Sequence, residues 1–225
     1  MSTKPLDIFR KKVYNVTMEY DSTHDTKAHI AVVGENIDRI CDRILCANSA
    51  DINAPTLVDF LQCFLATGAA AKHHDPILHN IAENTVAGNY NITDDILVAE
   101  LQHRKNEHDR SKLQEPEKSY FDAETPKLKS LVFGTPEYEA SLNRLRIALD
   151  HHYSINRHHP EHFKNGVSDM NVIDIVEMFC DWDASTKRLS HSPIHRGVEI
   201  NRKRFGLSED VTKMFHVTAA KIFGE

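Results

Sequence analysis

"TPEYEASLNRLRIALDHHY", residues 135–153, decides the fold class. Thr135 followed by Pro136 reads as a helix start, because proline's missing N–H is an orphan in the first turn and its fixed backbone angle suits that position. Tyr138, Leu142, Leu145 and Leu149 then recur at intervals of three and four, which predicts one buried stripe. The next position on that stripe is His152, so an imidazole stands in line with the core leucines.

Upstream, "STHD" has capping-box spacing between Ser22 and Asp25, and Ile30, Val33, Ile37, Ile40 and Ile44 follow at helical intervals to about residue 46. His29 extends this stripe toward the core. Pro55 opens a further helix through Leu57, Leu61, Phe64 and Leu65, ending before Gly68. Residues 68–95 have broken periodicity and asparagine-rich turns and read as short helix and loop. Thr93 starts another helix, through Ile96, Leu97 and Leu101. Residues 114–136, with three prolines and little apolar period, read as an ordered connecting loop. After Asn171, "VIDIVEMFCDWDAS" is strongly helical, and an amphipathic piece follows Ser208. Period-2 alternation is not sustained anywhere, so the fold class is all-α.

The composition narrows the function. A chain of 225 residues with 40% hydrophobic and 27% charged residues fits one domain, 1–225, or one domain with an insertion. A net charge of −6 argues against broad nucleic-acid binding. The opening "MSTKPLDIFRKK" lacks a signal-peptide core and no apolar run reaches membrane-spanning length, which predicts a cytoplasmic protein. Cys41, Cys46, Cys63 and Cys180 form no CxxC pair, and three of them lie in apolar-periodic stretches. Histidine is the outlier: fifteen residues, about threefold above ordinary usage, several of them adjacent.

Three constellations can carry chemistry. In "DHHYSINRHHPEHF", His151 and His158, like His152 and His159, are seven apart, about two helical turns, although Pro160 predicts that the helix ends before His159. The bland alternative is a set of solvated histidines near helix-end carbonyls. In "NEHDRSK", His108 and Asp109 point apart on a regular helix but converge at a distorted helix end. Histidine with carboxylate suits Mn, Fe, Co, Ni or Zn. The preceding "AELQHRKNE" is polar, which argues against deep burial of the pair. In "EMFCDWDAS", Asp181 interrupts an apolar helix, and it is costly to bury unless paired. Asp174 and Met178 share its face, and the bland reading makes Asp174, Asp181 and Asp183 surface residues.

Taken in order, His29, "HDRSK", the histidine doublets and Asp181 resemble the HD-domain superfamily of metal-dependent phosphohydrolases. The chain is most similar to an uncharacterised family found mainly in phages and bacteria. The residues that carry this are "HDRSKLQEPE", "ETPKLKS", "ALDHHYSINRHHPEHF" and "VEMFCDWDAS", over about residues 20–46 and 100–218. The resemblance implies an HD-like helical bundle with His29, His108, Asp109 and Asp181 as metal ligands, and, because the stretch between the first histidine helix and the HD is longer than that family's usual link, 47–98 as an insertion or lid. It implies a second ion at His152 with His158 or His159, and Lys112 at a substrate phosphate. Arg188, Arg196, Arg202 or Lys203 are candidates for further anion contacts, against a solvated basic face. Glu115 or Glu117 would orient a water. The expected reaction is hydrolysis of a nucleotide or related phosphate ester, in the host cytoplasm if a phage encodes the chain. Rival expectations are a di-iron oxygenase, a non-catalytic nucleotide-binding protein and a plain helical interaction module, and a homodimer fits each of them.

Overall fold

The computed structural model describes residues 20–46, 59, 75–87, 93–132, 134–190 and 194–224. These form α1 (Thr23–Cys46), α2 (Pro76–Ala87), α3 (Asp94–Glu107), α4 (Glu117–Ser130), α5 (Pro136–Ile155), α6 (Val172–Ser190), α7 (Ile194–Phe205) and α8 (Glu209–Thr218). Among the described residues there is no strand, so the class is all-α. No described helix is long and apolar enough to cross a membrane. The helix expected from Pro55 to Gly68 lies outside the described residues, apart from Asp59, and so does Cys63.

Helix α6 is the axis of the molecule. Every residue from Val172 to Ala184 is buried, the mark of a helix surrounded on all sides. Asp174 and Asp183 are therefore not surface residues but fully buried ones. Helix α1 packs along α6 through Val33, Ile37, Ile40 and Ile44, and α3 adds Leu97 and Leu101. Helix α2 sits in the same core with Leu78, Ile81 and Ala82, and Asn84 Nδ2 donates to the carbonyls of Ser168 and Met170. Helix α8 closes the far side with Val211, Met214 and Phe215.

Three local expectations are corrected. The Ser22 side chain makes no capping bond: its Oγ is a buried atom without a partner, and the Ser22 N–H donates to Asp122 instead. The buried line of α5 is Ser141, Leu145, Ala148 and His152, while Tyr138, Leu142 and Leu149 are only half-buried, so the face is rotated from the leucine stripe yet still contains His152.

Residues 117–130, expected as loop, form the helix α4, which packs closely on α5. It escaped apolar periodicity because the residues it buries are acids, Glu117 and Glu124, two helical turns apart. Glu124 accepts hydrogen bonds from the Ser141 hydroxyl (2.6 Å) and from Arg144 Nε and Nη2 (3.0 Å each). Glu124→Ala is therefore expected to cost about 1–3 kcal/mol, because the fully buried Ser141 hydroxyl is left without its acceptor. Urea unfolding of the two proteins measures it, and an unchanged midpoint would refute the account.

Candidate metal centre

Four segments deliver the site. Helix α3 ends at Glu107, His108 leaves the helical region, and Asp109 turns into the left-handed region with φ of 55° before a 3-10 turn over Arg110–Leu113. This break lets two adjacent side chains point into one space, which a regular helix forbids. His29 comes from α1, Asp181 from α6, and His152 from the last turn of α5. Helix α5 stops at Ile155, so the seven-residue spacing of the histidine doublets is not helical. The chain instead folds back through Asn156 and Arg157 and brings both His158 and His159 to the cluster.

Among the described residues, three groups of ligand atoms are each compact enough to hold one ion. Two have four members: His29, His108, Asp109 and Asp181, all buried, and Asp109, His152, His158 and His159; the third, His108, His158 and Glu177, shares a histidine with each of them. Asp109 belongs to both four-membered groups. His29 Nε2 lies 2.8 Å from Asp181 Oδ1 and 3.5 Å from Asp109 Oδ2. His152 Nε2 lies 3.2 Å from Asp109 Oδ1 and 2.9 Å from His159 Nε2. Despite the polar run before it, the pair His108–Asp109 is 1% and 0% exposed. Charged partners rather than apolar neighbours make that burial tolerable.

A second layer of carboxylates sets the histidine tautomers. Glu177, on α6, lies 2.9 Å from His108 Nδ1 and 3.1 Å from His158 Nδ1. Glu117, on α4, lies 2.9 Å from His152 Nδ1 and 2.8 Å from His151 Nδ1. An ionised carboxylate only accepts, so it favours a proton on the Nδ1 facing it, which directs Nε2 of His108 and His158 toward a ligand bond. Consistently, His108 Nε2, His158 Nε2 and Asp109 Oδ1 are buried with no hydrogen-bond partner. Such orphaned atoms facing one another are the observation that fits a bound cation.

The electrostatics agree. Burial alone would raise Asp109, yet Lys112 and His108 hold its carboxyl well below the usual range. Asp181 is lowered in the same way by its bond to His29, and Glu177 by His158 and His108, both against their burial. His159 is pushed down to about 2 by burial and by His158, so it stays neutral. His108 moves the other way: burial is outweighed by Asp109 and Glu177, whose field favours a positive charge at this point.

Lys112 Nζ donates to Asp109 Oδ2 at 2.6 Å, and Ser111 of the same turn bonds Glu117 at 3.0 Å. Glu115 is exposed and bonds Ser119, apart from the cluster. Asp181 and His159 border a cleft of about 430 Å³ whose walls include Tyr153, Trp182, Arg196 and Phe205. Arg196 thus lines the cleft that Asp181 and His159 border, whereas Arg202 pairs with Glu199 at 4.0 Å outside that cleft and Lys203 is exposed. The Arg188 side chain lies outside the described residues. Glu177 was not singled out from sequence; the available signal was its place in the series 174, 177, 181 on one face of α6.

A family model matches residues 18–225, nearly the whole chain. The chain belongs to the DUF5662 family. That family is described as one of unknown function. No curated protein and no solved structure matches the chain.

Proposed function

We propose that the chain is a metal-dependent phosphohydrolase of the HD type, acting on a nucleotide or related phosphate ester. The observation that carries this reading is the pair of buried donor groups sharing Asp109, with Lys112 against it and Arg196 on the adjoining cleft. Divalent ions held there would supply Lewis acidity toward a phosphoryl oxygen and toward water. His29, His108, Asp109 and Asp181 would hold one ion and Asp109, His152, His158 and His159 a second, while Glu177 and Glu117 keep the imidazoles in the ligating tautomer. Lys112, already directed at the shared aspartate, places a cation where the phosphate would sit. Arg196 offers a forked donor to a more distant oxygen. The aromatic rings of Trp182 and Phe205, parallel with centroids 6.0 Å apart, give the cleft an apolar wall for the rest of the substrate.

The test is hydrolysis of mono-, tri- and cyclic nucleotides by protein loaded separately with Mn, Co, Mg or Zn, with products separated by chromatography. Turnover that disappears on chelation and returns with metal is expected. Silence across the panel in protein that does contain metal would overturn the reading. Arg196→Ala is expected to raise KM by about 3- to 10-fold with little change in kcat, the signature of lost binding shared by ground and transition states. The five histidines and two aspartates of the centre also suit two irons. Dioxygen consumption by iron-loaded protein, with no phosphate released from any ester, would favour that oxygenase reading instead.

A further inference from the structure

Given the metal centre just proposed, we infer that Glu177 couples its two halves, so that ions load cooperatively. One oxygen of this carboxylate, Oε1, lies within hydrogen-bond distance of Nδ1 of both His108 (2.9 Å) and His158 (3.1 Å), accepting from each Nδ1–H. His108 belongs to the donor group with His29 and Asp181, and His158 to the group with His152 and His159. The two rings lie side by side, with centroids 4.4 Å apart. The orientation of one ring therefore fixes the acceptor that orients the other.

Glu177 is itself held from behind. Its Oε2 accepts from Arg104 Nη1 at 2.8 Å, and Arg104 Nη2 reaches Asp174 Oδ1 at 2.7 Å. Asp174 also takes two bonds from Arg157, at 3.0 and 2.8 Å, on the segment that leads into His158. An ion that immobilises His108 thus immobilises Glu177 Oε1, and the second ion meets a His158 already in place. Coupling of this kind is reciprocal between the two sites.

Glu117 supplies the internal contrast. It orients only His152 among the ligands, its other partners being His151 and Ser111. Glu117→Gln should disturb one donor group and Glu177→Gln both. In Glu177→Gln the amide nitrogen must face either Arg104 or the two Nδ1–H groups, a donor against a donor in each case.

The experiment is titration of the metal-free full chain with Co²⁺, followed by visible absorption and by calorimetry, on wild type and both variants. Circular dichroism of the metal-free proteins shows that each is folded. Wild type is expected to take up two equivalents in one steep transition. Glu117→Gln should keep the first equivalent and weaken the second by about 10- to 100-fold, the usual effect of losing an outer-layer partner. Glu177→Gln should weaken both by that factor and lose the steepness. If Glu177→Gln does not fold, Glu177→Asp keeps the charge but withdraws the oxygen by one methylene, and the same loss of steepness is expected. Two-ion uptake that remains steep in the Glu177 variant overturns the coupling and leaves the metal centre intact. A third equivalent present in wild type and lost in Glu177→Gln also overturns it, because Glu177 would then be a ligand. No Co²⁺ uptake by wild type removes both readings together.

Discussion

Asp109→Asn is expected to empty both donor groups of metal and to lower turnover by on the order of 10³-fold or more, equivalent to the several kcal/mol that a bound ion contributes to charge stabilisation. Asp109 is the one residue common to the two four-membered groups, and it is completely buried. Its Oδ1 faces His152 and His158 at 3.2 and 3.6 Å, and its Oδ2 faces His29 at 3.5 Å and Lys112 at 2.6 Å. Asparagine keeps the shape and removes the charge. Alanine is the poorer probe, because residue 109 sits at φ 55°, a left-handed conformation that asparagine and aspartate tolerate and that costs other residues about 1–2 kcal/mol. Metal analysis of the purified variant and initial rates under saturating metal measure the two effects. Full metal content with full turnover in Asp109→Asn would show that the ligand assignment is wrong.

Phe179→Ala is expected to destabilise the fold by about 3–5 kcal/mol. Phe179 is fully buried, stacked on Phe215 at 4.9 Å and on Phe223 at 5.5 Å. It lies two residues from both Glu177 and Asp181, which on a helix places it about opposite them. One side of α6 thus presents carboxylates to the histidines and the other presents aromatic surface to α8, so the packing of Phe179 holds the helix that carries Asp181. Denaturant unfolding of the metal-free proteins measures the loss, and saturating metal should restore part of it by binding the native state alone. A loss under about 1 kcal/mol would mean that α6 is not the packing axis inferred from its burial.

Where sequence reading succeeded, the signal was local. The helix Thr23–Cys46 follows apolar intervals of three and four and Val172–Ser190 opens on a largely apolar run, and His29, in phase with Val33, Ile37, Ile40 and Ile44, shares their burial, as His152 does that of Leu145. Where it failed, the buried partner was polar. Helix α4 hides acids, so 114–136 resembled a loop. The His108–Asp109 pair follows a polar run, so it resembled surface. On α5 the half-buried leucines outweighed the small Ser141 and Ala148, which lie on the line that packs closely. Helix α7 buries Ile194 and Val198, but Arg196, Arg202, Lys203 and Arg204 dominate its sequence and mask that face.

By itself the sequence determined an all-α chain and the order His29, His108–Asp109, the histidine doublets and Asp181, because helical period and residue order are properties of neighbouring positions. Only the tertiary structure decided that both His158 and His159 turn inward, that Glu177 and Glu117 rather than Glu115 stand behind the candidate ligands, and that Asp109 is common to both four-membered groups. Those choices depend on pairs such as His29 with Asp181, 152 positions apart, and His108 with Glu177, 69 apart. A charge pair across such distances leaves no periodic trace in the chain, since its stabilisation comes from the burial and geometry that folding creates.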